Sequence, residues 1–138
     1  MNITRRQFGS FALAAASTVL VTASPAFAGT SVRKGTLSGR KGYKAGGTIK
    51  VQKEGGSTKV VLSDNYFFDP DNKNPPDIKI GFGNGEKYAK GSKIHSKLTV
   101  KKGAATFTVP ASIDTDKYNE LYVYCERFSV ILAVAKLK

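Results

Sequence analysis

Short segments of alternating apolar and polar residues, each ended by a turn-forming sequence, limit the folds open to this chain. Residues 48–54 alternate in this way, Gly55 and Gly56 interrupt them, and residues 59–62 resume the apolar pattern. Alternation with a period of two is typical of a strand with one buried face, and a Gly-Gly pair between two such runs predicts a β-hairpin. The two runs therefore predict a hairpin over residues 48–62.

Three further segments follow the same plan, and none shows a sustained helical period. Residues 78–82 alternate before a Gly-Asn-Gly turn at 83–85, residues 98–109 alternate on both sides of Gly103, and a last apolar segment covers residues 120–137. Strands at this spacing are typical of antiparallel sandwiches and small barrels. The sequence thus predicts an all-β domain, a single small antiparallel β-sandwich or partly open barrel of about seven to nine short strands.

The first 28 residues have the pattern of an export signal. Arg5 and Arg6 form a twin-arginine pair, Phe8 follows two residues later, and a mildly apolar run occupies residues 11–21. The run is too short and too rich in Ala, Ser and Thr for a transmembrane helix, which needs about 20 strongly apolar residues. A general secretory signal with a chance arginine pair fits the same residues, so both export routes stay open.

Small residues at Ala26 and Ala28 predict cleavage after Ala28. The predicted divisions are a twin-arginine signal peptide at 1–28, a loose leader at 29–36 and one β domain at 37–138. On this prediction cleavage leaves no transmembrane anchor, and the protein is exported to the periplasm or secreted.

Basic residues outnumber acidic residues twofold after this cleavage. The chain has 22 basic and 10 acidic residues, and the signal contains two of the basic ones and none of the acidic ones. Such an excess favours an anionic partner, here an acidic redox-partner protein or an anionic envelope component. The lysines are scattered and no nucleic-acid motif accompanies them, so we predict no nucleic-acid partner. A solvated basic surface without a dedicated anion site is the alternative.

The last apolar segment contains two sets of residues of opposite parity. The odd-numbered residues of 121–125 share one face of a regular strand, whereas the even-numbered apolar residues of 128–134 share the other. A single regular strand aligns Glu126 with a core set, where an unpaired carboxylate is costly. We therefore predict a β-bulge near Glu126 and Arg127 that keeps both sets in the core.

The closing segment also carries an aromatic-Cys pair, then a Phe, a strand and a terminal Ala-x-Leu. These residues are Tyr124-Cys125, Phe128 and Ala135-Lys136-Leu137. In this order they resemble the closing motif of the DM-thirteen domain family, with Tyr124 where that family usually has Trp. Segments 35–51, 60–82 and 105–110 extend the resemblance over most of the domain.

The resemblance implies an extracytoplasmic all-β domain with an electron-transfer or redox role. It implies that the family cysteine acts as a bare thiol or as a haem ligand, and Cys125 is the corresponding residue here. Cys125 is therefore the redox or haem-ligand candidate. The supporting residues around it are Tyr124, Glu126, Arg127 and Phe128.

One cysteine restricts the chemistry. It excludes an internal disulfide, a Cys-x-x-Cys oxidoreductase and covalent c-type haem. Outside the signal the chain has one His and no Met, too few ligands for a type-one copper site or a structural zinc, so we predict no metal site. A thiolate-ligated haem needs only one cysteine, and so does a thiol whose oxidised form is resolved by a partner. The alternative is that the single cysteine is buried and acts only as a small hydrophobic side chain.

Two functions therefore stay open. One is an extracytoplasmic redox or electron-transfer module centred on Cys125, with haem as a candidate cofactor. The other is a noncatalytic binding or structural module that has a basic surface and an inert cysteine. No serine-histidine-carboxylate set and no pair of catalytic carboxylates stands out in the sequence, so we predict no catalytic residues and no enzyme activity for the chain on its own.

Overall fold

A computed structural model describes residues 30–138. The predicted signal peptide, with Arg5, Arg6, Phe8, Ala26 and Ala28, lies outside the described residues. Within them the chain forms ten β-strands and one short 3₁₀ turn at Thr115–Lys117. The strands are β1 (Thr30–Gly39), β2 (Lys44–Gly46), β3 (Thr48–Glu54), β4 (Ser57–Leu62), β5 (Phe67–Asp69), β6 (Ile78–Asn84), β7 (Lys87–Tyr88), β8 (Ala105–Val109), β9 (Glu120–Cys125) and β10 (Val130–Lys136).

Eight of these strands form one antiparallel sheet in the order β7-β6-β9-β10-β1-β3-β4-β8, and β2 pairs with β5 in a small second sheet. The large sheet curls into a half-barrel. Its inner face carries the apolar core, to which Ile49, Phe82 and Leu132 contribute fully buried side chains. The all-β prediction of a partly open barrel is confirmed. The strand number exceeds the predicted range because β2, β5 and β7 have only two or three residues each.

The predicted loose leader at 29–36 is wrong for the residues that the structure describes. Residues 30–36 pair with β3 over seven consecutive positions, and residues 37–39 then pair with β10. β1 thus joins the two halves of the sheet. It holds this place through its backbone ladder, because the strand carries few apolar side chains and most of its outer face is polar.

The hairpin predicted at 48–62 is confirmed as β3 and β4 with Gly55 and Gly56 between them. The strand predicted at 98–100 is wrong, because Leu98 is buried within an irregular segment and donates its backbone N–H to the Ile78 carbonyl. Only the second half of that prediction forms a strand, β8, and it pairs with β4.

The last segment is two strands rather than one bulged strand. β9 ends at Cys125, the chain reverses through residues 126–129, and Val130 pairs back with Cys125. Ser129 adopts a φ of 52°, and its N–H donates to the Glu126 carbonyl. The bulge predicted near Glu126 and Arg127 is therefore wrong. The reversal accounts for the change of parity, and an irregularity of register lies farther on, between Ile131 and Ala133.

Candidate functional site

Cys125 is the last residue of β9 and faces the core. Alternation along this strand turns Leu121, Val123 and Cys125 inward, and none of these three side chains is more than 1% exposed. The thiol donates a hydrogen bond of 3.0 Å to the carbonyl oxygen of Pro76. The sulfur is therefore enclosed, and a reagent reaches it only when a neighbouring segment moves.

The segment that covers this sulfur is the end of the loop at 70–77. Beside the thiol contact, Glu126 donates its backbone N–H to the Asp77 carbonyl, and Ile78 pairs with Cys125 in the sheet. Asp77 has a φ of 56°, and Asp71, Asn72 and Asn74 also have positive φ. All four are Asp or Asn, the residue types besides glycine that adopt this conformation most readily. No residue of 70–77 is buried, so this loop opens at a lower cost than the sheet beside it.

Tyr124 lies on the opposite face of β9 from the thiol. Its ring stacks on Tyr88 with centroids 4.0 Å apart and planes 12° apart. Gly81 makes room for this stack, because a Cβ there would lie 2.6 Å from a ring carbon of Tyr88. Gly83 similarly leaves space for the Tyr122 ring, 2.7 Å from its hypothetical Cβ. The alternating glycines of β6 thus admit aromatic rings to the outer face of the sheet.

Tyr122 and Glu120 form a buried polar pair under this aromatic layer. The Tyr122 hydroxyl donates to Glu120 Oε1 at 2.7 Å, and the backbone N–H of Glu86 donates to the same oxygen at 2.6 Å. Both side chains are at most 5% exposed. Burial, followed by the interaction with the Glu120 carboxylate, raises the pKa of Tyr122 above its usual value. The phenol therefore stays protonated and remains a donor.

Glu126 forms ion pairs with two lysines at the edge of the outer face. Its carboxylate accepts a hydrogen bond of 2.6 Å from Lys79 and another from Lys93, and Asp77 lies 3.2 Å from the same Lys79 ammonium. The hydrogen bonds from Lys79 and then Lys93 lower the pKa of Glu126 from 4.5 to about 2. The carboxylate is thus ionised at neutral pH and neutralised by its neighbours.

An open cleft of about 1030 Å³ joins these groups. Tyr88 and Tyr124 line it with Ile131, and an Arg40–Glu86 ion pair of 2.7 Å stands at its border. We call it the tyrosine cleft. Its remaining lining residues are Lys41, Lys90, Gly91, Lys93, Glu126, Ser129 and Val130. The cleft combines an aromatic surface with a charged border.

The predicted site residues do not form one cluster. Cys125 lies in the core, Tyr124 faces the tyrosine cleft and Glu126 borders it. Arg127 and Phe128 occupy the exposed turn, and Phe128 is 66% exposed instead of buried as the parity argument predicted.

Sequence analysis missed Tyr88, Gly81 and Glu120. The available signal was the pair of glycines at Gly81 and Gly83, spaced by two within an otherwise apolar strand. Glycine in a strand interior often marks the close approach of another group.

A haem bound to Cys125 does not fit this arrangement. An axial thiolate needs open space at the sulfur for the iron and the macrocycle. Here the Pro76 carbonyl occupies the position next to Sγ, and the tyrosine cleft lies on the other face of the sheet. Among residues 30–138, no group of three or more His, Cys, Asp or Glu side chains is placed to hold a metal ion. In the same range no helix has both the length and the apolar character needed to span a membrane.

Comparison with known proteins gives one result that bears on this geometry. A family model described as "Electron transfer DM13" matches residues 44–137. No curated protein and no solved structure matches the chain. The matched residues include β2 to β10, Cys125 and the lining of the tyrosine cleft except Arg40 and Lys41.

Proposed function

We propose that this chain, which belongs to the Electron transfer DM13 family, is an extracytoplasmic electron-transfer module. Its proposed redox centre is Cys125. Family membership supports a role in electron transfer. The observation that carries the choice of Cys125 is its position at the end of β9, where the 70–77 loop, which contains no buried residue, covers the sulfur. Opening of this loop would expose the sulfur to a partner thiol on the core side of β9, opposite the tyrosine cleft.

A single cysteine transfers electrons by exchange with partner thiols. The Cys125 thiolate attacks one sulfur of a partner disulfide, forms a mixed disulfide and releases the other sulfur as a thiolate. One thiol of a dithiol donor then attacks the Cys125 sulfur and releases the first partner as a dithiol. The donor's second thiol finally displaces Cys125, leaving the donor as a disulfide. Two electrons and two protons pass from the donor dithiol to the acceptor disulfide, and Cys125 returns to its thiol form.

Export and the basic surface complete this proposal. The twin-arginine pattern at 1–28 supports a periplasmic or secreted location, where partner disulfides persist. The surplus of lysine supports an acidic redox protein or an anionic envelope component as the partner.

A noncatalytic binding module is the second candidate, because one specific observation favours it. Cys125 is 0% exposed and its thiol is hydrogen-bonded, which is the ordinary condition of a structural free cysteine. The two candidates differ in whether the sulfur becomes accessible without global unfolding.

The deciding experiment measures native-state labelling of Cys125 beside a visible spectrum before and after dithionite. The redox proposal expects no Soret band and a labelling rate well above the global unfolding rate measured on the same sample. A labelling rate equal to the global unfolding rate would contradict the redox proposal and support the noncatalytic module. A Soret band that disappears in Cys125→Ala would contradict the thiol mechanism and the enclosed sulfur.

A further inference from the structure

Three lysines stand side by side across the outer face of the large sheet. Lys34 of β1 lies directly opposite Lys50 of β3. On its other side, Lys34 and Lys138 exchange backbone hydrogen bonds of 3.0 and 2.9 Å, so these two residues are also cross-strand partners. Neighbouring strands lie about 4.8 Å apart, which spreads the three lysines over roughly 10 Å. We call this set the lysine row.

This row is electrostatically unfavourable in the isolated chain. Like charges directly opposite each other on neighbouring strands destabilise a sheet. Within the part of the chain that the structure describes, no carboxylate forms an ion pair with Lys34, Lys50 or Lys138. An anionic ligand over the row would relieve this repulsion.

The lysine row borders a groove of about 730 Å³ between β1 and β10. Lys34 and Lys138 line it with Lys136, and no acidic residue lines it. Thr36 and Thr48, also in the lining, offer hydroxyl donors beside the ammonium groups. The side chains that line the groove are therefore all neutral or cationic.

This groove is connected to the tyrosine cleft. Arg40 lines both cavities, and its guanidinium is held at the shared border by Glu86. A partner of standard interface size covers about 800 Å² of each protein, which is enough to extend over both cavities. An anchor in the groove would therefore place another part of the same partner over Tyr124.

We infer that the groove beside the lysine row docks an acidic segment of the partner protein, an inference that rests on the proposed electron-transfer function. Carboxylates spaced along a peptide can form ion pairs with the row of ammonium groups, and the threonine hydroxyls can donate hydrogen bonds to the same oxygens. A peptide segment enters the groove, whereas a flat membrane surface meets only its borders. Val32, 46% exposed at the end of the groove, supplies one apolar contact beside the charges.

The test measures binding of a synthetic hexaglutamate peptide to the purified protein at low ionic strength. The test variant is Lys34→Gln with Lys138→Gln, because these two lysines belong to the row and line the groove. Its matched control is Lys97→Gln with Lys101→Gln, which removes the same charge from exposed lysines that do not line the groove. Melting curves of both variants verify that each remains folded.

We expect the test variant to bind the peptide roughly three- to tenfold more weakly, and the control less than twofold more weakly. Binding to the unchanged protein should fall as salt is raised, because the contacting charges are exposed. Equal losses in the two variants would overturn the inference and leave a diffuse basic surface. Tighter binding to vesicles of anionic phospholipid or to polyphosphate, with loss in the same variant, would overturn the choice of a protein segment.

The result is separable from that of the proposed function. Peptide binding is repeated on Cys125→Ser, which should retain full affinity because Cys125 faces the core and does not line the groove. The labelling experiment tests the thiol independently of the peptide. If Cys125 is labelled only at the global unfolding rate while the peptide still binds, the redox centre alone is contradicted. If Cys125 is labelled faster than unfolding but the two lysine variants bind the peptide equally, the docking site alone is contradicted.

Discussion

The thiol of Cys125 donates to the carbonyl oxygen of Pro76 across 3.0 Å, so a loop 49 residues away in sequence covers the sulfur. The acceptor is a backbone atom, and the residue that follows it, Asp77, has a φ of 56°. The contact therefore depends on the path of the loop rather than on the Pro76 side chain. Any change that widens the choice of loop conformations should act on the thiol.

Replacing Pro75 and Pro76 with glycine should speed native-state labelling of Cys125 by roughly tenfold. Each replacement lowers the cost of opening, because proline restricts the chain and glycine does not. The measurement is the rate of modification by a thiol reagent under native conditions. Pro110→Gly, in the loop after β8, is the control and should leave the rate unchanged once global stability is matched. Similar acceleration by both variants would show that labelling follows global unfolding.

Glu126→Gln should remove a pH-dependent contribution to stability. The folded-state pKa of Glu126, about 2, lies below its ordinary value of 4.5. The group therefore stabilises the fold fully above pH 4.5, and this contribution is lost as pH falls towards 2. The unchanged protein should be more stable than the variant at pH 7, and the difference should shrink to nothing near pH 2.

Denaturant unfolding of both proteins between pH 2 and pH 7 measures this difference. Glu54→Gln is the control, because Glu54 is exposed and forms no ion pair with any residue of 30–138. A constant difference between Glu126→Gln and the unchanged protein across the range would contradict the lysine pairing of Glu126.

Tyr122→Phe should destabilise the fold by about 1–3 kcal/mol, because it removes one of two donors to the buried Glu120 oxygen. The pKa of Tyr122 is raised from its ordinary value of 10.0. This contribution is therefore complete below pH 10 and is lost as pH rises beyond it. The variant should accordingly lose less stability than the unchanged protein above pH 10.

Tyr118→Phe is the control for this effect. The Tyr118 ring packs against Phe82 at a centroid distance of 6.2 Å, and its hydroxyl has no hydrogen-bond partner in the described part of the chain. Chemical denaturation at pH 7 and pH 11 compares the two variants. Equal stability of Tyr122→Phe and Tyr118→Phe at pH 7 would show that Glu120 does not need the phenol.

Local signals predicted the parts of the fold whose partners are near in sequence. The alternation around Gly55 and Gly56 is sufficient for β3 and β4, because strands and turn occupy one continuous segment. The reversal at 126–129 was missed because it contains no glycine, proline or asparagine, and Ser129 takes the positive φ instead. Residues 30–36 of β1 were predicted as a loose leader because their pairing with β3 has no signal in their own alternation.

The candidate site depended still more on distant pairing. The single cysteine was visible in the sequence, but its enclosure depends on the Pro76 carbonyl, which is 49 positions away. The Tyr88–Tyr124 stack likewise requires β6 to pair with both β7 and β9. A residue's own type predicts which chemistry it can perform, whereas the neighbours that permit or prevent that chemistry come from the assembled sheet.

Gly81→Ala should disrupt the tyrosine stack without unfolding the protein. The new methyl group would lie 2.6 Å from a Tyr88 ring carbon, and that ring can move more easily than a backbone can. Loss of the stack should cost about 0.5–1.5 kcal/mol and change the near-ultraviolet circular dichroism of the tyrosines. Gly56→Ala is the control, because a Cβ there has no atom within 4 Å among the described residues. An unchanged tyrosine signal in Gly81→Ala would mean that the ring of Tyr88 is not held over Gly81.

The same variant also tests whether the two faces of β9 are coupled, since Cys125 and Tyr124 lie on opposite faces of that strand. An unchanged rate of Cys125 labelling together with loss of the tyrosine signal would show that the two faces act independently.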